Sequence, residues 1–404
     1  MKDNLSWAAS GNSVLKLNIR HLWLLGVWEL GESRLFKFQS TIAFGLSLWS
    51  TVECALAVYF IWGDLEQTTL VLLITFTCGS GVAKMAVFLY DRRQYNSLAH
   101  QLDKLLSLQS ESCSEDPNLA AISEWSRRKA ARLTLGLLLF MLSQSFLWNF
   151  VPLLVYPEER RLPYVQHQWN NNSLYEFSYT VQGLSAIWVS QISFGVDCLF
   201  AVVMILVAAQ LEILGQRLVK LRNDVDIVGE EKAVSEKKEL DGETGETMYD
   251  DLCLCIETHQ EILRFVAYLQ DTMSPIAMTQ FALSVVIACM ALFQATFSEE
   301  FSSVLKCASF LPIPGGQVYL YCWAANNVTA QAEAVSVAAY NSSWVDASER
   351  FKRALRIIVS RSQKPLVLTA GHLYPINREA FLTLVNASYS YYALLSQMNS
   401  RYSY

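Results

Sequence analysis

Tyr340-Asn-Ser-Ser-Trp-Val-Asp-Ala-Ser-Glu-Arg-Phe-Lys-Arg-Ala-Leu-Arg-Ile-Ile-Val-Ser-Arg-Ser-Gln-Lys-Pro365 and the residues that follow it to Met398 decide how the rest of the chain reads. Phe351, Ala354, Leu355 and Ile358 recur at i, i+3, i+4 and i+7, which places them on one face of a helix over Glu349–Ser362. Arg350, Lys352, Arg353, Arg356 and Arg361 occupy the rest of its circumference. Pro365 ends that helix, and a short connector runs from Leu366 to Pro375 through Ala370 and Gly371. Ile376 to Met398 is then long enough to cross a bilayer. It is a polar crossing, because Ser388, Tyr389, Ser390, Tyr391, Tyr392, Ser396 and Gln397 lie in its outer half. A helix that met only lipid would not carry these groups; one facing water or a partner helix would.

Composition agrees with a membrane chain. The 404 residues are 52% hydrophobic and 17% charged, with a mean hydropathy of +0.24. A soluble chain carries about a quarter charged residues, so much of this surface is expected to face lipid. Nucleic acid is not an expected partner, because no basic patch is interleaved with aromatics outside the membrane-flanking loops. Met1–Gly31 lacks the basic, apolar, small-residue order of a cleaved leader, so the first crossing is expected to serve as the insertion signal. Nine cysteines, mostly in apolar segments, argue for small buried hydrophobes rather than a disulfide framework.

Outward from the terminal stretch, the apolar segments predict an all-α membrane protein with seven transmembrane helices in a single domain over 1–404. The crossings are expected at 36–62, 68–90, 133–155, 177–211, 262–295, 301–330 and 376–398, with an anchor or assembly segment at 340–375. The fifth is expected to break near Pro275, and the sixth to kink at Pro312, Pro314, Gly315 and Gly316. Gly229–Glu246 is acidic and nearly free of apolar residues, which predicts disorder. Basic residues set the orientation. With the N-terminus inside, the inner segments hold 26 of the Lys and Arg residues and the outer segments hold three: Arg160, Arg161 and Arg401. The N-terminus is therefore expected in the cytoplasm and the C-terminus outside, the inverse of a G-protein-coupled receptor. Of five sequons, Asn171 alone lies in an expected outer loop, which makes it the candidate glycan acceptor.

The order Tyr340-Asn-Ser-Ser-Trp344, Phe351-Lys-Arg-Ala-Leu355, Arg361-Ser-Gln-Lys-Pro365, Thr369-Ala-Gly371, Phe381 and Ser388-Tyr-Ser-Tyr-Tyr-Ala-Leu-Leu395 resembles the C-terminal signature of insect odorant receptors. The resemblance implies an odorant-gated cation channel without a cofactor. It would sit in the cell membrane of the olfactory sensory neuron dendrite and assemble as a heterotetramer with the odorant co-receptor. The chain resembles the tuning subunit, because it has Ser396-Gln-Met-Asn399 where the co-receptor has a Val-Gln-Leu-Lys-like ending.

By the same resemblance, Leu394 and Met398 match a hydrophobic gate and Gln397 a polar pore residue. A hydrophobic ring stops ions by dewetting; plain packing is the alternative for Leu394 and Met398. The implied pocket for a small volatile ligand falls on Leu72, Leu73 and Phe76, on Ser145, Trp148 and Asn149, and on Tyr179, Ile187, Trp188 and Gln191. Aromatic rings in a bundle are more often core than pocket, so each of these competes with a packing role. Glu53, Lys84, Asp197 and Asp271 are charges in or near crossings, expected to pair or to sit at helix ends rather than to form a transporter's relay. The five histidines are scattered without metal spacing, and nothing in the chain suggests an enzyme. A gustatory receptor-type channel is the nearest alternative; a G-protein-coupled receptor conflicts with the basic-residue asymmetry, and a secondary transporter would need mirrored broken helices.

Overall fold

The computed structural model describes residues 7–31, 34–63, 65–155, 162–164, 175–221, 234–297, 301–345 and 347–402. Within them the chain is helical almost throughout. Two short N-terminal helices, α1 (Trp7–Asn12) and α2 (Lys16–Leu24), lead into α3 (Arg34–Phe60) and α4 (Leu65–Tyr90). Next come α5 (Arg92–Leu108), α6 (Ser110–Glu115), α7 (Pro117–Val155) and α8 (Tyr175–Lys220). The second half holds α9 (Val234–Phe297), α10 (Phe301–Phe310), α11 (Pro312–Tyr340), α12 (Glu349–Ser362) and α13 (Arg378–Tyr402). A two-residue antiparallel ladder, β1 (Thr369–Ala370) with β2 (Tyr374–Pro375), joins α12 to α13. Among the described residues, five helices are long and apolar enough to cross a membrane; they lie in α3, α4, α7, α8 and α9.

The bundle is organised around α8. Most helices have one apolar stripe, but the run from Val196 to Leu206 in α8 is buried on every side, the pattern of a central helix. α2, α3, α4, α7, α9 and α11 all pack on it. The approach of α4 is close because Gly81 has no side chain: a Cβ there would lie 2.4 Å from Val189 Cγ1. The N-terminal segment is tied to α5 through Asp103, which accepts hydrogen bonds from Ser13 Oγ (3.2 Å) and Val14 N (3.4 Å). Trp28 belongs to the core, its ring tilted 54° against that of Phe88 with centroids 5.5 Å apart.

Three expectations are corrected. Pro275 lies inside α9, which runs unbroken from Val234 to Phe297. A proline removes one backbone bond, but packing on both sides holds the helix, as membrane helices tolerate. The same helix starts at Val234, so the later part of the segment expected to be disordered is helical; residues 222–233 lie outside the described residues. The sixth crossing is not one kinked helix. α10 ends at Phe310 and α11 restarts with Pro312 at its first turn, where a missing N–H has no partner to lose.

α12 shows why the terminal stretch folds as it does. Ser348 caps it, accepting from Phe351 N at 3.3 Å. Phe351, Leu355 and Ile358 are buried, while Arg350 and Arg356 face outward. The ladder behind it is fitted to α9. Gln270 Oε1 accepts from Thr369 N (2.8 Å), and Gln270 Nε2 donates to the Thr369 carbonyl and hydroxyl, both at 2.7 Å. Ser274 holds the turn: its carbonyl accepts from Gly371 N (3.1 Å) and its hydroxyl from His372 N (3.0 Å). Gly371 has φ +60°, and a Cβ there would come within 3.0 Å of Met278, so both conformation and space require glycine.

Candidate functional site

The site is a cavity of about 850 Å3, open-solvent space at its mouth included, between α4, α7, α8, α9, α10 and α11. Its lining follows helical faces. α7 contributes Met141, Gln144, Ser145 and Trp148, spaced i, i+3, i+4 and i+7. α8 contributes Ala186, Val189, Ser190, Ser193 and Phe194, and α4 contributes Leu73, Ile74, Thr77, Cys78 and Ser80. Ile287 of α9, Phe310 of α10, and Ile313, Pro314 and Gln317 of α11 close the far side. Tyr164, from the connection between α7 and α8, covers the Trp148 ring face to face at 5.8 Å, and Phe310 meets the same ring edge-on at 5.8 Å.

Of the residues expected in a pocket, the structure brings Leu73, Ser145 and Trp148 into the lining. The others fall outside it, for a geometric reason: they sit on neighbouring faces of the same helices. Leu72 and Phe76 flank the α4 face, and Phe76 packs against a buried cluster around Ile74 and Trp148. Asn149 is one residue beyond Trp148; its Nδ2 donates to Tyr164 Oη (3.2 Å), and its carbonyl accepts from the Tyr179 hydroxyl. Those bonds make Asn149 and Tyr179 supports for the wall. Ile187 lies off the lining, and its carbonyl accepts from Ser190 Oγ. Trp188 turns toward the N-terminal segment, donating from Nε1 to the Leu25 carbonyl at 3.0 Å. Gln191 is buried, with neither side-chain polar atom hydrogen-bonded. Reading α7 back from Trp148 at i−3, i−4 and i−7 would have found Gln144. Tyr164 carried no such signal, because its loop position is set by tertiary packing.

Beneath the cavity lies a polar knot. Lys84 Nζ is 2.8 and 2.7 Å from the two carboxylate oxygens of Asp197, and both side chains are fully buried. The third ammonium proton goes to Ser193 Oγ at 3.0 Å. Asp197 also accepts from Gln317 Nε2 (2.8 Å) and Tyr321 Oη (2.9 Å). Gln317 Oε1 in turn accepts from Gln280 Nε2 at 2.9 Å. Four helices, α4, α8, α9 and α11, therefore meet at one satisfied ion pair, as buried charges require. Ser193 and Gln317 belong to both cavity wall and knot. Of the other intramembrane charges, Glu53 accepts from Gln182 Nε2 at 3.0 Å, and Asp271 lies 3.9 Å from His372 at an exposed position.

On α13, Leu394, Gln397 and Met398 share one exposed face at i, i+3 and i+4. Leu394 is 54% and Met398 47% exposed. Asn171 lies outside the described residues. Among the described residues no cluster of His, Cys, Asp and Glu could hold a metal ion.

Comparison with known proteins gives a family. The 7tm odorant receptor family model matches residues 64–389. Odorant receptor Or2 of Anopheles gambiae is 29% identical over 157 residues, 39% of this chain and 42% of that protein. Odorant receptor 85b of Drosophila melanogaster is 35% identical over 143 residues, 35% of this chain and 37% of that protein. Odorant receptor Or1 of Anopheles gambiae is 25% identical over 268 residues, 63% of this chain and 64% of that protein. These matches thus span less than two thirds of each relative's length. The solved structure of the insect olfactory receptor OR5 from Machilis hrabei superposes with a TM-score of 0.81, covering 95% of this chain and 97% of that one at 17% identity. A second structure holds that receptor in complex with eugenol and superposes with a TM-score of 0.77.

Proposed function

We propose a function from one premise: the chain belongs to the 7tm odorant receptor family. It binds a small volatile ligand in the cavity bounded by Trp148, Tyr164 and Phe310, and so opens a non-selective cation pore shared with the odorant co-receptor. The cavity carries this reading. It is large enough for a volatile molecule, mostly apolar, and interrupted by a few placed polar groups, the composition expected of a small-molecule site. The receptor of the same fold that binds eugenol supports a ligand of that size.

The pore is assigned to α13. Leu394 and Met398 are large apolar side chains exposed on the isolated chain, as gate residues facing a central axis would be before subunits assemble. Gln397 shares their face and would meet passing ions. The chain acts as the tuning subunit in a heterotetramer, in a membrane with its N-terminus in the cytoplasm. The 26-to-3 distribution of basic residues supports that orientation, which places the exposed Arg350 and Arg356 of α12 on the cytoplasmic side. An epitope tag after Tyr404 should then stain intact cells, and one before Met1 only permeabilised cells.

The test of function is current. Cells expressing this chain with the co-receptor should pass odorant-evoked cation current to some members of a volatile panel. Trp148→Ala should change which members act and leave reversal potential unchanged. Wild-type cells silent to the whole panel, with both subunits at the surface, would contradict the reading.

A further inference from the structure

We propose that the junction of α10 and α11, residues 311–316, is a hinge in the cavity wall, about which the outer segment carrying Phe310 closes on a bound ligand while the rest of α11 stays fixed. The inference rests on the cavity being the ligand site.

Two features weaken the backbone at this junction. Leu311 N donates to the Cys307 carbonyl at 2.9 Å, but Pro312 and Pro314 have no N–H to donate. The carbonyls of Ala308 and Phe310 therefore have no amide four residues on to accept from, and two of the bonds that would splice α10 to α11 cannot form. Gly315 and Gly316 come next in α11. Neither has a positive φ, and a Cβ on either would meet nothing within 4 Å. Neither backbone conformation nor packing calls for glycine here. Inside a helix, glycine lowers the local folding equilibrium about fivefold relative to alanine. The pair weakens the helix and gains no contact in return, and prolines beside such a pair mark a segment that bends.

The two sides of the junction are held differently. On the inner side, Gln317 donates to Asp197 at 2.8 Å and accepts from Gln280 at 2.9 Å, and the Tyr321 hydroxyl donates to Asp197 at 2.9 Å. The buried ion pair thus fixes α11 from its second turn inward. On the outer side, Phe310 is half-buried and meets the Trp148 ring edge-on at 5.8 Å. The dispersion contacts of that ring can pass to a ligand without leaving a polar group unpaired. Phe310, Ile313, Pro314 and Gln317 all line the cavity, so the junction lies in the wall itself, between a pinned half and a half that a ligand would touch.

The test compares the wild type with a Gly315→Ala/Gly316→Ala double variant, both as full-length protein, with Gly136→Ala as control. Gly136 lies on α7 outside the cavity lining, and a Cβ there also meets nothing within 4 Å. In the purified wild type, backbone amides of residues 311–317 should exchange with deuterium at least about tenfold faster than those of residues 321–332. The double variant should slow exchange over 311–317 by about tenfold to thirtyfold and melt about 2–4 °C higher. Co-expressed with the co-receptor at equal surface level, it should pass at least about threefold less current to the volatiles that open the wild type. Gly136→Ala should leave both that exchange and the current unchanged. The wild-type exchange pattern stands without the variant, should the variant misfold. Equal exchange in the two wild-type stretches, no slowing or a lower melting temperature in the double variant, or undiminished current once exchange has slowed would overturn the hinge. A wild type silent to the whole panel removes the ligand reading instead, and the exchange comparison still decides whether the junction bends.

Discussion

α8 and α13 are both long helices of the same bundle, and they solve opposite problems. The most apolar stretch of α8 is 94% buried within its own chain. α13 instead exposes Tyr389, Tyr391, Leu394 and Met398. The buried helix carries Asp197, one half of the buried charge pair, and the exposed one turns tyrosines, a leucine and a methionine outward. Apolar content alone therefore does not say what covers a helix. In α8 the cover comes from neighbours that also neutralise Asp197. On α13 the proposed assembly supplies the cover from outside the chain.

Four experiments break or sharpen this contrast. The largest effect belongs to the knot. Lys84→Met or Asp197→Leu alone leaves one charge buried without its counterion and should cost about 3–5 kcal/mol. Such protein should fail to reach the surface or should aggregate on purification. The double replacement should recover most of the loss, because no bare charge remains; single variants with wild-type melting behaviour would show that the pair is not what holds four helices together. Next is the seam between α12 and the core. Leu355→Asp puts a carboxylate among buried apolar residues and should cost about 2–4 kcal/mol. It should also abolish surface heteromer, and normal co-purification with the co-receptor would contradict an assembly role.

A smaller effect is expected at the α4–α8 crossing. Gly81→Ala drives a methyl into Val189 and should cost about 1–3 kcal/mol, seen as a lower melting temperature. Val189→Ala in the same chain should restore part of it, since the two positions touch. The smallest effect on stability belongs to α13. Leu394→Ser and Met398→Ser should stay within about 0.5 kcal/mol of wild type, yet leak current without odorant should rise. Gln397→Glu should shift reversal potential and leave odorant choice alone. A loss of stability at Leu394 comparable to that at Leu355 would place this face in contact with the core rather than with a pore.

The class of fold is legible from the sequence, because segments near twenty apolar residues leave few alternatives. The amphipathic face of α12 is legible too: Phe351, Leu355 and Ile358 share one face and five basic residues crowd the others, so periodicity has contrast to work with. On α8 the contrast is missing. Residues on every face are apolar or small, so Ile187, Trp188 and Gln191 look as eligible as Val189, Ser190 and Ser193, and only packing on α4 and α7 tells them apart. Pro275 misleads for a related reason. Its local rule is real, but tertiary contacts on either side outweigh one missing bond. The pairing of Lys84 with Asp197 crosses 113 residues, and nothing local announces it.

The fit of the Ala370–Tyr374 turn against α9 has a mechanical consequence. α13 starts at Arg378, three residues beyond the ladder, and runs for 25 residues, about 37 Å. The turn is pinned to Gln270 and Ser274 at one end of this rod, while Leu394 and Met398 ride near the other. If the proposed opening loosens the Tyr392–Thr296 hydrogen bond that ties the outer half of α13 to α9, the arrangement would act as a lever with its fulcrum at Gly371. A rotation of about 5° there carries the far tip through roughly 3 Å, about the width of a water molecule. In the proposed channel, amplification on that scale would let a sub-ångström adjustment of α9, the helix that also contacts the knot through Gln280, become a displacement large enough to wet a constriction.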